Sequence, residues 1–374
     1  MSAATKSPQS RDPAISGELS KTKARDKSPK RWRTGLAALG LTVVLAVAAY
    51  FALGVPERDA VQMGRLNMGS AHHELVSLSG DWEVLEDSNA PTGTSAGYAR
   101  LPVKWANPYG HAFYRLHIRG LDPGLAYAVR TSCLDTSYRL SVNGQVFMSG
   151  GEPGQSPATT RPALSPGVAV LPQGLGDADL VLEVANFVHF RGGPSLPILF
   201  GEAGAVKDYD AWSIGSDMLS IVVLLFLFCC AAMSAGFRRN LSSLYYGLIC
   251  LTGAFAFLLI SPEFLVFRID PGFDWSLYVK LSFFVCYSSA LWFMLTARSL
   301  FGGLSNRSTL LLSAPTFFLG LVVLILPPDI FTRANPLFML NNLVLAAVSV
   351  LLFARAVSKA YPYVAKRLLT DPAP

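Results

Sequence analysis

Chemistry needs particular side chains brought together, and this chain offers few sets that qualify. Its five histidines include one local cluster of metal-binding residue types, His72-His73-Glu74. Adjacent side chains on a strand point to opposite faces, so these three do not converge on one ion. His111 and His117 lack a third ligand at metal spacing. Neither His-Glu-x-x-His nor Cys-x-x-Cys occurs. The stretch Ser149-Gly-Gly-Glu-Pro-Gly-Gln-Ser-Pro157 is Gly-rich but has no Lys-Ser/Thr after it, so it reads as a loop and not a phosphate cradle. The Gly-x-Ser-x-Gly elbow of serine hydrolases is absent. A glycosidase sets two carboxylates across a cleft. Sixteen Asp or Glu lie in residues 55–212, and no spacing singles out two of them. The expectation is therefore no catalytic residue, no metal ligand, no cofactor and no enzymatic activity.

Binding chemistry is better represented. Trp82, Trp105, Tyr109 and Tyr138 offer rings for stacking, and Asn186, His189 and Arg191 offer polar groups beside them. Trp82 and Tyr138 fall within strand patterns and read as core. The ligand-binding candidates are then Trp105, Tyr109, Asn186, His189 and Arg191. The last opens Arg191-Gly-Gly193, just after a strand, and loops carry function more often than strands do. The plain alternative for this triplet is a tight turn with a structural arginine.

The elements that must hold these residues read as β-structure. Gly80-Asp-Trp-Glu-Val-Leu85 is a short strand. In residues 113–119, Tyr114, Leu116 and Ile118 alternate with Arg115, His117 and Arg119, the pattern of a half-buried strand. Residues 126–131 follow an Asp-Pro-Gly turn. Tyr138, Leu140 and Val142 alternate next and end at Asn143-Gly144, the strongest short hairpin signal. Residues 168–171, 179–187 and 196–200 complete about eight strands, the content of a β-sandwich of jelly-roll type. Cys133 is the only cysteine in this region and reads as a buried core residue.

Composition places that domain on a membrane. The chain of 374 residues is 51% hydrophobic and 15% charged, against about 25% charged in soluble domains. An apolar run over 35–54 follows Lys30-Arg31-Trp32-Arg33 and reads as an uncleaved signal anchor, longer than the core of a signal peptide. Five more runs follow, over 214–235, 241–260, 277–297, 309–326 and 337–354, each near the ~20 residues that cross a bilayer. Residues 208–213 form a short link from the domain into the first of them. The expected organisation is a disordered basic tail (1–34), the anchor (35–54), an outer domain (55–212), a five-helix region (213–356) and an inner tail (357–374).

The net charge of +6 suggests nucleic acid only until the charges are located. Residues 1–34 hold nine Lys or Arg against three acids, whereas residues 55–212 hold eleven against sixteen. Without a basic patch there is no nucleic-acid face. The basic residues instead mark topology. Arg238, Arg239, Arg298, Arg307, Arg355, Lys359, Lys366 and Arg367 fall on one side with the N-terminal tail, and Arg268, Lys280 and Arg333 on the other. The positive-inside rule puts the N-terminus in the cytoplasm and residues 55–212 outside. The spans have no ionisable residue near their centres, which argues against a transporter or proton relay. Their Ser, Cys and Asn residues read as helix–helix contacts, and Pro315 is expected to kink one span.

The order of parts carries a resemblance. Leu78-Ser-Gly-Asp-Trp82, Phe113-Tyr-Arg-Leu116, Tyr138-Arg-Leu-Ser-Val-Asn-Gly144 and Asn186-Phe-Val-His-Phe-Arg-Gly-Gly193, followed by apolar spans, resemble the bacterial seven-transmembrane receptors with diverse intracellular signalling modules. The resemblance covers about residues 70–367. It implies a periplasmic jelly roll similar to galactose-binding domains and an α-helical transmembrane bundle in the bacterial inner membrane. It also implies a carbohydrate or related small-molecule ligand, and a conformational signal passed through the helices. Seven helices follow the outer domain in that family, but five are counted here and no output module is found. The expectation is a shortened receptor, set in membrane lipid, that signals through a separate partner protein. The alternative is a membrane-anchored scaffold that binds a glycan or a protein.

Overall fold

The computed structural model describes residues 60–69, 73–85, 95–132 and 137–370, except for the side chains of Ser95 and of 360–370. The basic tail, the apolar run over 35–54, His72 and Cys133 lie outside the described residues.

The β-region forms two sheets. The larger contains β1 (Arg65–Asn67), β3 (Gly80–Leu85), β4 (Ser95–Leu101), β5 (Gly110–Arg119), β7 (Ser137–Val142), β8 (Gln145–Gly150) and β10 (Ala178–Asn186). Its order is β4-β3-β5-β10-β7-β8, with β1 parallel to the far end of β5. The smaller sheet runs β2 (Val76–Ser77), β11 (Leu199–Glu202), β6 (Tyr127–Thr131) and β9 (Gly167–Val170). Their inner faces share one core: Leu116, Leu140, Leu180 and Trp82 from one sheet meet Tyr127 and Phe200 from the other. This is a sandwich, and its alternation sets the register.

The expected strands form, and the physics that predicted them is visible. Along β5, Tyr114, Leu116 and Ile118 are buried. Their neighbours pair across the outer face, Arg115 with Glu83 at 2.7 Å and His117 with Asp179 at 2.6 Å. Asn143 and Gly144 take φ of 49° and 82°, the left-handed pair that a two-residue hairpin requires. Trp82 is fully enclosed and donates its indole N–H to the Leu78 carbonyl at 2.8 Å.

Five helices long and apolar enough to span a membrane follow. They are α1 (Ala203–Arg238), α2 (Leu241–Leu259), α3 (Trp275–Phe301), α4 (Asn306–Ile325) and α5 (Asn335–Thr370). Side chains cap three of them at the N-terminus: Asn240 for α2, Asp274 for α3 and Ser305 for α4. The helix α1 packs on α2, α2 on α3, and α3 on both α4 and α5. Pro315 lies inside α4.

One boundary differs from the expected link. Residues 208–213 are not a connector but the second and third turns of α1, which starts at Ala203. Hydropathy passes over this segment because Lys207, Asp208 and Asp210 interrupt it. Tertiary contacts make it helical: Ala203 and Val206 pack against Ala128, and the Ala203 amide donates to the Ala126 carbonyl at 2.8 Å. At 36 residues and ~1.5 Å per residue, α1 is much longer than a bilayer core of ~30 Å. Its polar first turns therefore belong with the sandwich.

Candidate functional site

Two loops at one end of the sandwich carry the sequence-derived candidates. One runs through residues 102–109 into β5, and the other leaves β10 after Asn186. Asn186 is fully buried. Its Nδ2 donates to the carbonyls of Pro108 (2.7 Å), His189 (2.8 Å) and Arg191 (2.8 Å). Its Oδ1 accepts from the amides of Val188 (3.2 Å) and His189 (3.0 Å). One side chain thus satisfies backbone groups that the end of a strand leaves open, and it ties the two loops together. The backbone continues the tie, with the Trp105 amide donating to Gly192 at 2.9 Å and the Val103 amide to Pro194 at 2.8 Å. Glycine is required at this approach. A Cβ on Gly192 would stand 2.0 Å from the Pro108 carbonyl oxygen, and Gly193 holds φ of +93°.

The other candidates surround this clamp. Trp105 is half-buried and donates its indole N–H to the Tyr114 hydroxyl at 2.7 Å. Burial pushes that hydroxyl up from the ordinary tyrosine range, against the opposing pull of the Trp105 bond. The ring of Tyr109, also half-buried, lies 5.6 Å from the Arg333 guanidinium, which comes from the turn before α5. Arg191 is exposed, with its guanidinium 5.1 Å above the Phe190 ring. His189 is buried, and its Nδ1 accepts from the Arg191 amide at 3.4 Å. The five candidates therefore gather at one end of the sandwich. Asn186 and His189 are enclosed behind Trp105, Tyr109 and Arg191.

That end faces the helices. His189 meets Trp275 at the head of α3 edge to face, with centroids 6.1 Å apart. Phe190 meets Phe283 of the same helix at 5.8 Å. Leu164, Val188 and Leu196 of the sandwich join a core with Phe264, Phe267, Phe331 and Phe338 of the helical region.

A second joint is built from charges that no local sequence pattern connects. Arg130 lies in β6, a strand buried at all five positions. Its Nε donates to Asp210 of α1 at 2.8 Å, and its Nη2 donates to both carboxylate oxygens of Glu263, one of them at 2.5 Å. Arg268 completes the set, donating to Asp210 at 2.6 and 2.9 Å and to Glu263 at 3.3 Å. Ser213 donates to Glu263 at 2.5 Å. Two cations and two anions are thus closed on one another, with Arg130 and Glu263 buried and Asp210 and Arg268 half-buried at the edge. Burial alone would lower the Arg130 pKa, but the charge of Glu263 and the bonds to Asp210 and Glu263 outweigh it and raise the pKa above the ordinary arginine value. The sequence signal is a cationic residue in the middle of Tyr127–Thr131: alternation sets Arg130 beside Ala128 on the outer face of β6, and that is the face α1 covers.

Metal chemistry finds no footing among the described residues: no group of three or more His, Cys, Asp or Glu side chains there is placed to hold an ion. His73 meets Glu202 at 2.6 Å near the surface.

No protein-family model matches the chain, and no curated protein matches it. Solved structures do show a partial likeness. One is a GH2 beta-galacturonidase from Eisenbergiella tayi (16% identity, TM-score 0.27), with the match covering 35% of this chain and 25% of that one. Another is a beta-glucuronidase from Bacteroides uniformis (12%, 0.27), covering 34% and 17%. A third is a beta-glucuronidase from Ruminococcus gnavus (12%, 0.26), covering 34% and 29%. The match spans less than a third of each of these enzymes, and at such values neither activity nor ligand carries over.

Two outcomes follow from the joints. Arg130→Met leaves the buried Glu263 and the half-buried Asp210 with one cation, and the folded chain in lipid nanodiscs should lose about 3–5 kcal/mol. Thermal unfolding measures it, and a loss under about 1 kcal/mol contradicts the burial of the pair. Second, burial, and then the nearby Arg191 charge, push the His189 imidazole down to about 3, whereas in the unfolded chain it titrates near 6.5. Between those values only the unfolded chain takes up the proton. Stability is therefore fully present above pH ~6.5 and falls as the pH drops toward 3. Melting curves from pH 7.5 to 4.5 should show a smaller acid loss in His189→Leu than in wild type; equal slopes contradict the assignment.

Proposed function

We propose that this chain is a sensory receptor of a bacterial inner membrane. Its N-terminus lies in the cytoplasm and its sandwich, a galactose-binding-like jelly roll, in the periplasm. The sandwich takes a carbohydrate or related small molecule at the loop end. Trp105 and Tyr109 offer ring faces, Arg191 supplies hydrogen bonds, and Asn186 and His189 hold the loops in place from behind. A partner protein inside the cell receives the signal. The distribution of basic residues supports the orientation.

The observation that carries this reading is the continuity between the loops and the helices. The candidate residues share their loop with His189 and Phe190, which are packed on α3. The smaller sheet is ion-paired to α1 and to the turn after α2. A ligand that prefers one loop arrangement thereby prefers one arrangement of helix heads, which is all that signalling by differential affinity requires. A hundredfold change in the populations of two such states corresponds to about 2.7 kcal/mol of preference. Simple anchoring needs neither joint.

The test is a carbohydrate panel, neutral sugars and uronic acids, screened by thermal shift against the full chain in nanodiscs. A ligand of the folded state raises the melting temperature by mass action. The expected result is a shift with at least one sugar class that Trp105→Ala and Arg191→Ala each reduce by more than half. A folded chain that responds to no sugar favours the scaffold reading.

A further inference from the structure

The helix ends away from the sandwich form one continuous face. There α1 passes to α2 through Arg239, whose φ of 48° turns the chain. The Ser242 hydroxyl at the head of α2 shares a hydrogen bond with Ser299, near the end of α3, at 2.7 Å. Arg298 donates to Asn306 at the head of α4 and, at 3.5 Å, to the Leu304 carbonyl. Phe301 meets Phe353 of α5 edge to face, with centroids 5.8 Å apart. All five helices thus contribute to this face.

Its charge has one sign. Arg238, Arg239, Arg307, Arg355 and Lys359 are exposed, and Arg298 is half-buried. Residues 218–262, 275–328 and 330–370 contain no Asp or Glu. The acids between those stretches, Glu263, Asp270, Asp274 and Asp329, lie in the turns at the sandwich end. Asp217, the last acid of α1, is about 30 Å from Arg238 along the helix, at ~1.5 Å per residue. Six cations therefore share this face with no carboxylate among the described residues to neutralise them. The N-terminal tail supplies no net negative charge either, because residues 1–34 hold nine cations against three acids.

We propose that this face selects anionic phospholipids, whose phosphate headgroups it holds against Arg238, Arg239, Arg307, Arg355 and Lys359. The surroundings of the cations decide for lipid. Phe237, Leu241, Phe301 and Phe353 adjoin them and are exposed. Cationic heads on apolar stems, set beside exposed rings, match the boundary between hydrocarbon and headgroups. An acidic soluble protein would answer the charge and leave the rings unmatched. Guanidinium groups pair bidentately with phosphate oxygens, and a cation at an anionic membrane surface contributes about fivefold in association. Topology needs only a bias of sign between the two ends; a face with no acid at all exceeds that need. The inference stands apart from what the sandwich binds.

The test places the full chain in phosphatidylcholine vesicles at low salt, with spin-labelled phosphatidylglycerol and spin-labelled phosphatidylcholine as probes. Electron spin resonance separates lipid held at the protein from free lipid and gives the relative association of the two. The expected result is a preference of about threefold or more for phosphatidylglycerol. It should fall nearly to one in ~1 M NaCl, where charges are screened beyond about 3 Å. Arg238→Gln, Arg239→Gln, Arg307→Gln, Arg355→Gln and Lys359→Gln together should remove more than half of it. Lys280→Gln with Arg333→Gln, at the sandwich end, should leave it intact. Equal association of the two lipids with wild type overturns the proposal and leaves the face to an acidic protein. A preference that resists salt, or that survives the five replacements in a folded chain, also overturns it.

Discussion

Arg130 has no route to water. It sits in a strand buried at every position, and an isolated charge there would cost several kcal/mol. Its described anionic partners do not belong to the sandwich: Asp210 is on α1, and Glu263 follows α2. The β-domain therefore carries a charge that, among the described residues, the helical region neutralises. Arg268, bound to the same two carboxylates, balances the count and fixes the geometry. Such a quartet contributes little net stability compared with an apolar contact of equal size, but it tolerates few arrangements. It sets how α1 leaves the sandwich, and so where the remaining helices begin.

The apolar joint works differently. Phe190 and His189 reach the head of α3 from a loop that Asn186 and Gly192-Gly193 hold in one shape. Shape, not charge, decides this contact. The same clamp holds the segment that carries Trp105 and Tyr109, so the half-exposed rings and the buried plug are two sides of one structure. Arg333 stacked over Tyr109 extends this contact to the turn before α5. Ordering these loops costs conformational entropy, and five hydrogen bonds through a single asparagine offset part of that cost.

Local periodicity made much of the fold legible. The alternation in β5, the Asn143-Gly144 turn and the five apolar runs each depend on residues close in sequence, and each appears where its pattern lies. Strands β1, β2 and β4 did not announce themselves. The first two are three and two residues long, too short for a period, and β4 contains Gly97 at φ of +140°, which breaks its alternation. The head of α1 reads as a link in sequence because its helical state comes from contacts and not from hydropathy. The charge quartet was invisible for a related reason. Arg130 lies 80 residues from Asp210 and 133 from Glu263, and nothing local connects them. The candidate loop residues were found as types, while their common location emerged only from the fold.

If the sandwich and the helix heads form one cooperative unit, they must open together. Hydrogen exchange of the chain in nanodiscs, followed at the backbone amides of residues 127–131 and 203–213, tests this directly. The account predicts the same opening free energy for both segments and an equal fall in both when Arg130 is replaced by Met. Exchange at 203–213 that proceeds independently of the strand, or that ignores the replacement, would contradict it.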